Sequence, residues 1–176
     1  KNLITKLYAN NQETFLNNKS RLNNFHNEDC NEEDSTSKVD CFFLYLLALQ
    51  FKPKCVFESG TWVGSTAKFL ADAAMEYGGT VHTCDPYDKF VFSEKHKNNL
   101  IFDNKTSRDV IKEFKSKNKK IDFAFYDSPL DITFLEEEIT ALIELASDDF
   151  VFSAHDYTES NGAISKGKWA IDTAWK

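Results

Sequence analysis

The chain has 176 residues, of which 41% are hydrophobic and 28% charged, and its formal net charge is −7. This length is most simply one domain, and the 16 Phe residues support a well-packed core. The acidic balance argues against a nucleic-acid partner, which needs a basic face, and no apolar run approaches the ~20 residues of a membrane span. No secretory signal is visible, so we expect a cytoplasmic protein without a membrane partner.

The cysteines also limit the class of protein. Cys30, Cys41, Cys55 and Cys84 show no Cys-x-x-Cys spacing, which argues against a zinc site or a disulfide framework. Cys55 and Cys84 fall in predicted strands, and we expect them to be buried small apolar side chains. Cysteines without paired spacing fit a protein of a reducing compartment.

The chain divides near residue 37 into an N-terminal extension and a larger domain. Residues 1–37 carry scattered apolar side chains among Asn and Lys, then an acidic stretch, which predicts one or two helices and a linker. Residues 38–176 form the second predicted unit. It opens with a helix from Val39 to Gln50 that ends before Pro53.

A buried strand and a glycine turn follow this helix. The apolar run that begins at Cys55 ends in Glu58 and Ser59, and Gly60 and Gly64 then bracket a turn. Because neither glycine carries a Cβ, we expect the backbone there to come close to a bound ligand.

A helix and a second strand complete this unit. We expect Ser65 and Thr66 to cap the helix, whose N-terminus suits a carboxylate or a phosphate. The helix is predicted to end at Gly78-Gly79, and a strand from Thr80 to Cys84 then leads to Asp85. An acid about 20 residues after a glycine turn is where a ribose diol would be held.

Three more strands are predicted in the second half of the chain. Strand three covers 99–102, and Ser107 is expected to cap the next helix. Strand four, 121–126, is followed by Asp127 and then by a predicted helix with a stripe of apolar side chains. Glu136, Glu137 and Glu138 of this helix are expected mostly to face water. Strand five, 150–154, ends in His155-Asp156-Tyr157, and residues 162–176 have a helical pattern.

This alternation predicts a parallel sheet with helices on both faces. Ligands of such sheets bind at the carboxyl ends of the strands, at the topological switch point. Four acids are predicted to lie there: Glu58, Asp85, Asp127 and Asp156.

The spacing of the glycines separates two cofactor classes. Dinucleotide folds use Gly-x-Gly-x-x-Gly, whereas this chain has Glu58-x-Gly60-x-x-x-Gly64. With Asp85 after the second strand, the pattern resembles the first motif of class I S-adenosylmethionine-dependent methyltransferases. From about Phe51 to Trp175 the chain is similar to that family, most of all to small-molecule O-methyltransferases with a His-Asp-Tyr after the fifth strand. The resemblance implies a Rossmann-like three-layer α/β/α sandwich with strand order 3-2-1-4-5.

The resemblance also implies that S-adenosylmethionine is the cofactor. The glycine loop would wrap its methionine end, Asp85 would bind the ribose hydroxyls, and Ser107 would lie near the adenine. The cofactor-binding residues implied in this way are Glu58, Ser59, Gly60, Thr61, Gly64, Ser65, Asp85, Pro86, Ser107 and Asp127.

Catalytic and metal-binding roles are expected at the fourth and fifth strand ends. His155 would be the general base, because its ordinary pKa is close to the working pH, and Asp127 the second catalytic residue. Some relatives hold a divalent metal there, which implies a Mg²⁺ site at Asp127 and Asp156, although two carboxylates are an incomplete set. Alternatively, Asp127 caps a turn, Asp156 faces solvent and His155 bonds to a loop carbonyl. Relatives commonly have Gly-Asp-His after the acid, where this chain has Ser128-Pro129-Leu130.

Three functions therefore remain open from the sequence. The first is methyl transfer to an oxygen of a small-molecule acceptor, the second a non-catalytic cofactor-binding or assembly domain, and the third an NAD-dependent enzyme. The resemblance also implies two further strands after the helix predicted over 162–176. We expect either an abbreviated sheet or an incomplete domain, whose unpaired edge would suit a homodimer.

Overall fold

The computed structural model describes residues 9, 36, 38–128 and 132–155 of the chain. Within these ranges, helices and strands alternate after an opening helix. In chain order they are α1 (Lys38–Phe51), β1 (Cys55–Ser59), α2 (Ser65–Tyr77), β2 (Thr80–Cys84), a 3-10 turn (Glu94–His96), β3 (Leu100–Asp103), α3 (Ser107–Ser116), β4 (Ile121–Tyr126), α4 (Ile132–Leu145) and β5 (Ala146–Ala154).

The five strands form one sheet in the order β3-β2-β1-β4-β5. Every neighbouring pair in this sheet is parallel, and β1 lies in the centre between β2 and β4. The chain moves outward from β1 to β3 and then crosses to the other side of β1. The topological switch point therefore lies beside β1, and the predicted order is confirmed.

Two apolar clusters cover the two faces of the sheet. Side chains alternate along each strand, so Val56 and Phe123 pack against α1 and α2. Their neighbours Phe57 and Ala124 pack against α3 and α4. The three-layer sandwich is confirmed, and β1 is buried along its whole length because both of its faces are covered.

The predicted caps of two helices are wrong, while the predicted end of α2 is right. Gly64 is the N-cap of α2 at φ 86° with no side-chain hydrogen bond, and Ser65 is already the first helical residue. Thr106, and not Ser107, caps α3 by accepting a hydrogen bond from the backbone N–H of Asp109. Gly78 ends α2 in the left-handed conformation, which only glycine adopts without strain.

The acidic run on α4 does not face water throughout. Glu136 and Glu137 are exposed as predicted, but Glu138 is buried. Glu138 shares a helix face with Leu142 and Leu145, four and seven residues further on, and both belong to the core. The prediction therefore holds for Glu136 and Glu137 and is wrong for Glu138, because that position lies on the buried face of α4.

Several predictions concern residues outside the described ranges. Apart from residue 9, the helices expected in the extension before residue 37 lie there, as do the helix expected over 162–176 and Asp156, so the boundary at residue 37 stays a prediction. Cys55 and Cys84 are buried, as expected. No helix in the described part of the chain is long and apolar enough to cross a membrane.

Adjacent side chains on α4 provide a test of the packing. Leu142 is 1% exposed and Ile143 is 38% exposed. Leu142→Ala should lower the free energy of unfolding by ~2–5 kcal/mol, because it removes buried methyl groups and leaves a cavity. Ile143→Ala should cost less than ~1 kcal/mol. Urea unfolding of both variants measures the difference, and equal losses would contradict the assigned face of α4.

Candidate functional site

The carboxyl ends of four strands bring the predicted site residues to one edge of the sheet. Ser59 is in register with Cys84 on β2 and with Tyr126 on β4, and Tyr126 is in register with Ala154 on β5. The residues that follow these positions therefore lie side by side. Four predicted site residues lie at this edge within the described part of the chain: Glu58, Asp85, Asp127 and His155.

The glycine turn after β1 is packed against the protein's own atoms. Gly60 and Gly64 have φ angles of 94° and 86°. A Cβ on Gly60 would lie 2.2 Å from the carbonyl oxygen of Asp127, and one on Gly64 would lie 2.5 Å from the ring of Phe90. The need for glycine is confirmed, but the groups that approach the turn closely here are the end of β4 and an aromatic side chain.

Asp85 connects the glycine turn to the loop after β2. Its Oδ2 accepts a hydrogen bond from the backbone N–H of Trp62 at 2.9 Å, and its Oδ1 accepts one from Tyr87 at 2.8 Å. The side chain of Asn104 donates to the backbone oxygen of Asp85 at 3.0 Å. Each carboxylate oxygen can accept more than one hydrogen bond, so Asp85 retains acceptor capacity for hydroxyl groups of a ligand.

Glu58 lies at the centre of a buried hydroxyl network. Its side chain is 0% exposed, and Oε2 accepts a hydrogen bond from Thr83 Oγ1 at 2.5 Å. The Thr83 hydroxyl also lies 2.5 Å from that of Thr61 in the glycine turn. Glu58 and Thr83 are cross-strand partners, so the parallel register itself places them together. Oε1 has no hydrogen bond of good geometry among the described residues.

Burial changes the acidity of Glu58. The pKa of Glu58 is raised from 4.5 to about 8, and the main cause is the loss of water on burial, which the hydroxyls of Thr66 and Thr83 partly oppose. The nearby charges of Asp127 and Asp85 contribute to the same rise. This raised pKa favours the protonated carboxyl group near neutral pH.

Asp127 and His155 form a pair at the ends of β4 and β5. His155 Nδ1 lies 3.2 Å from Asp127 Oδ1, and the His155 backbone N–H donates to the Tyr126 carbonyl at 2.9 Å. Thr36 Oγ1 donates to Asp127 Oδ2 at 2.9 Å, and Asp40 Oδ2 lies 3.9 Å from His155 Nε2. The predicted pair is thus adjacent, but Thr36 and Asp40 were missed, because nothing in their local pattern indicates a distant partner.

The described residues do not form a magnesium site. No group of three His, Cys, Asp or Glu side chains among them is placed to hold a metal ion. Both oxygens of Asp127 already face protein partners, and Mg²⁺ requires octahedral oxygen ligation. The predicted second ligand, Asp156, lies outside the described residues.

The remaining predicted residues occupy varied environments. The hydroxyl of Ser59 contacts that of Ser128 after β4, which the sequence did not indicate. Ser65 is buried in the first turn of α2, and Pro86 is exposed in the loop after β2. Ser107 donates to Glu138 at 2.6 Å. This hydrogen bond joins the start of α3 to α4. The expected position of Ser107 beside an adenine stays a prediction.

Comparisons with known proteins agree with this geometry. A family model described as a methyltransferase domain matches residues 57–157. No curated protein matches the chain. One similar solved structure is the O-methyltransferase TomG from Streptomyces achromogenes, involved in tomaymycin synthesis, in complex with SAM; its TM-score is 0.66 at 16% identity, over 88% of this chain and 75% of that chain. A second is the SAH-bound methyltransferase PaMTH1 from Podospora anserina, with a TM-score of 0.61 at 12% identity, over 89% of this chain and 75% of that chain. A third is an O-methyltransferase from Bacillus cereus in complex with SAH, with a TM-score of 0.62 at 18% identity, over 97% of this chain and 86% of that chain. At these identities the likeness establishes a shared fold.

Two glycines with similar backbone angles test the packing of the turn. Gly60→Ala and Gly78→Ala should each cost ~1–2 kcal/mol of stability, because both residues are left-handed. Only Gly60→Ala should lose a further ~1–3 kcal/mol from overlap with the Asp127 carbonyl, since nothing lies within 4 Å of a Cβ on Gly78. Chemical unfolding measures both, and equal destabilisation would contradict the contact between the turn and β4.

The acidity of Glu58 predicts a pH dependence of stability. The folded protein keeps this proton up to about pH 8, whereas the unfolded chain releases it near 4.5. Since the folded state binds more protons between these values, the free energy of unfolding should fall as the pH rises through them, by at most ~1.4 kcal/mol per pH unit.

Glu58→Gln should remove this contribution, because its amide does not titrate. Urea unfolding of both proteins across the interval provides the measurement, and the difference between them isolates Glu58 from other titrating groups. Parallel curves for the two proteins would show that Glu58 is ionised in the folded state.

Proposed function

Because this chain belongs to the methyltransferase-domain family, we propose that it binds S-adenosylmethionine and transfers its methyl group to an oxygen of a small-molecule acceptor. The observation that carries the proposal is the convergence of Glu58, Asp85 and the Asp127–His155 pair beside the turn at Gly60. The binding of SAM or SAH by proteins of the same fold supports it. The family match favours this function over the dinucleotide alternative.

Asp85 is suited to hold the ribose of the cofactor. Its carboxylate is held in place by two backbone N–H groups, so it would not need to reorganise when a diol binds. Hydrogen bonds from hydroxyls to an ionised acceptor contribute ~1.5–3 kcal/mol each.

Glu58 is suited to the positive end of the methionine group. An ammonium would donate to the buried Oε1, which has no well-formed partner among the described residues. It would also favour the ionised carboxylate and displace the proton that burial keeps there. The sulfonium of the cofactor, when bound, supplies the reactive methyl group.

His155 would remove the proton of the acceptor hydroxyl. With a carboxylate at Nδ1, the proton of a neutral imidazole is favoured on that nitrogen, and Nε2 then carries the lone pair. General-base catalysis of this kind contributes ~10²–10⁴ in rate. Alignment of the acceptor oxygen behind the methyl group would lower the activation barrier by a larger amount, ~7–11 kcal/mol.

Two aspartates near the loop after β2 test the cofactor assignment. Asp85→Ala should weaken the affinity for S-adenosylhomocysteine by at least ~10-fold, because it removes hydrogen bonds worth ~1.5–3 kcal/mol. Asp88→Ala is the matched control, since Asp88 is exposed three residues further on. Isothermal titration calorimetry gives both dissociation constants, with thermal melting to verify folding. Unchanged affinity in a folded Asp85→Ala protein would exclude this site for the cofactor.

A further inference from the structure

Two residues outside the family match contact the Asp127–His155 pair. Thr36 donates a hydrogen bond to Asp127, and Asp40 in the first turn of α1 faces the opposite nitrogen of His155. The match begins at residue 57 and gives neither residue a role. We propose that Thr36 is a positioning residue of the active site, which holds Asp127 as the acid that orients His155. This inference rests on the proposed role of His155 as the base.

The sheet explains why these residues meet. Side chains alternate along β4, so Phe123 and Phe125 face α1 and α2. Asp127 follows Phe125 by two residues, and Thr36, two residues before α1 begins, donates a hydrogen bond to it. The contact spans 91 residues of sequence and thereby joins the region before the family match to the end of β4.

Two carboxylates compete for the imidazole ring. Asp127 Oδ1 lies 3.2 Å from Nδ1, and Asp40 Oδ2 lies 3.9 Å from Nε2. A proton on Nδ1 leaves the Nε2 lone pair available for an acceptor hydroxyl, whereas a proton on Nε2 removes it. The nearer acid favours the productive tautomer, so the orientation of the Asp127 carboxylate decides whether His155 can act as a base at Nε2.

Thr36 contributes to that orientation. The terminal torsion of aspartate is soft, and the Asp127 side chain is 25% exposed, so packing alone does not fix the plane of its carboxylate. The Thr36 hydroxyl holds Oδ2 at 2.9 Å, which leaves Oδ1 directed toward the ring. Loss of this hydrogen bond removes one constraint on the Asp127 carboxylate, and Asp40 then competes more effectively for the proton.

The tautomer of His155 can be measured directly. Nitrogen-15 chemical shifts of the imidazole in the full labelled chain distinguish the protonated from the unprotonated nitrogen, at a pH where the ring is neutral. His155→Gln assigns the signals. The wild-type protein should have its proton on Nδ1, and Thr36→Val should lower the ratio of Nδ1-protonated to Nε2-protonated forms by ~5-fold, as expected for the loss of one hydrogen bond.

Three further variants separate positioning from general disruption. Thr36→Ser keeps the hydroxyl and should retain the wild-type ratio. Asp40→Asn in the Thr36→Val background should restore it, because the competing charge is removed. Thr140→Val, which deletes a hydroxyl bonded to the Glu136 carbonyl, is the matched control and should change nothing.

A proton on Nε2 in the wild-type protein would overturn the proposal, because Asp40 would then orient the ring. An unchanged ratio in a folded Thr36→Val protein would overturn it equally. Titration of the same samples with S-adenosylhomocysteine tests the proposed function separately, since cofactor binding at Glu58 and Asp85 does not depend on the His155 tautomer.

Discussion

The carboxylate of Asp85 is the constraint on which the candidate site depends. Its two oxygens accept hydrogen bonds from Trp62 in the glycine turn and from Tyr87 in the loop after β2. The backbone N–H groups of Gly60 and Thr61 both donate to the Cys84 carbonyl and pull the turn toward β2 as well. These contacts set the spacing between two loops that have no regular structure of their own. In the proposed function, this ordered carboxylate would accept hydrogen bonds from a diol without rearranging.

The charge of the site follows from the same arrangement. Glu58, Asp85 and Asp127 lie close enough that the latter two raise the pKa of the first. It is costly to place acidic groups close together where water is partly excluded, and protonation of Glu58 reduces that cost. A cofactor that carries both a sulfonium and an ammonium would compensate the remaining charge. The electrostatics therefore favour a cationic ligand over the negatively charged pyrophosphate of a dinucleotide.

Local patterns predicted the sheet well and the side-chain partners less well. The apolar runs that end at a glycine or an acidic residue predicted where the strands end. In a parallel sheet with this topology the carboxyl ends of the strands lie at one edge, so the residues after them lie close together. Ser107 and Glu138 show where this reasoning stops. The pattern of each helix by itself predicted Ser107 as a cap of α3 and Glu138 as a solvent-facing acid of α4. In the structure Ser107 instead donates a hydrogen bond to Glu138, from one helix to the other. The contact of Thr36 with Asp127 is beyond any local rule, because it depends on how α1 is placed on the sheet.

The central claim is that this edge of the sheet binds S-adenosylmethionine and not a dinucleotide. The most direct measurement is a calorimetric titration of the purified chain with S-adenosylhomocysteine, with NAD in a parallel experiment and each with and without magnesium. We predict micromolar binding of S-adenosylhomocysteine, unchanged by magnesium, and no binding of NAD. Binding of NAD alone, or of neither compound by a protein shown to be folded, would contradict the assignment.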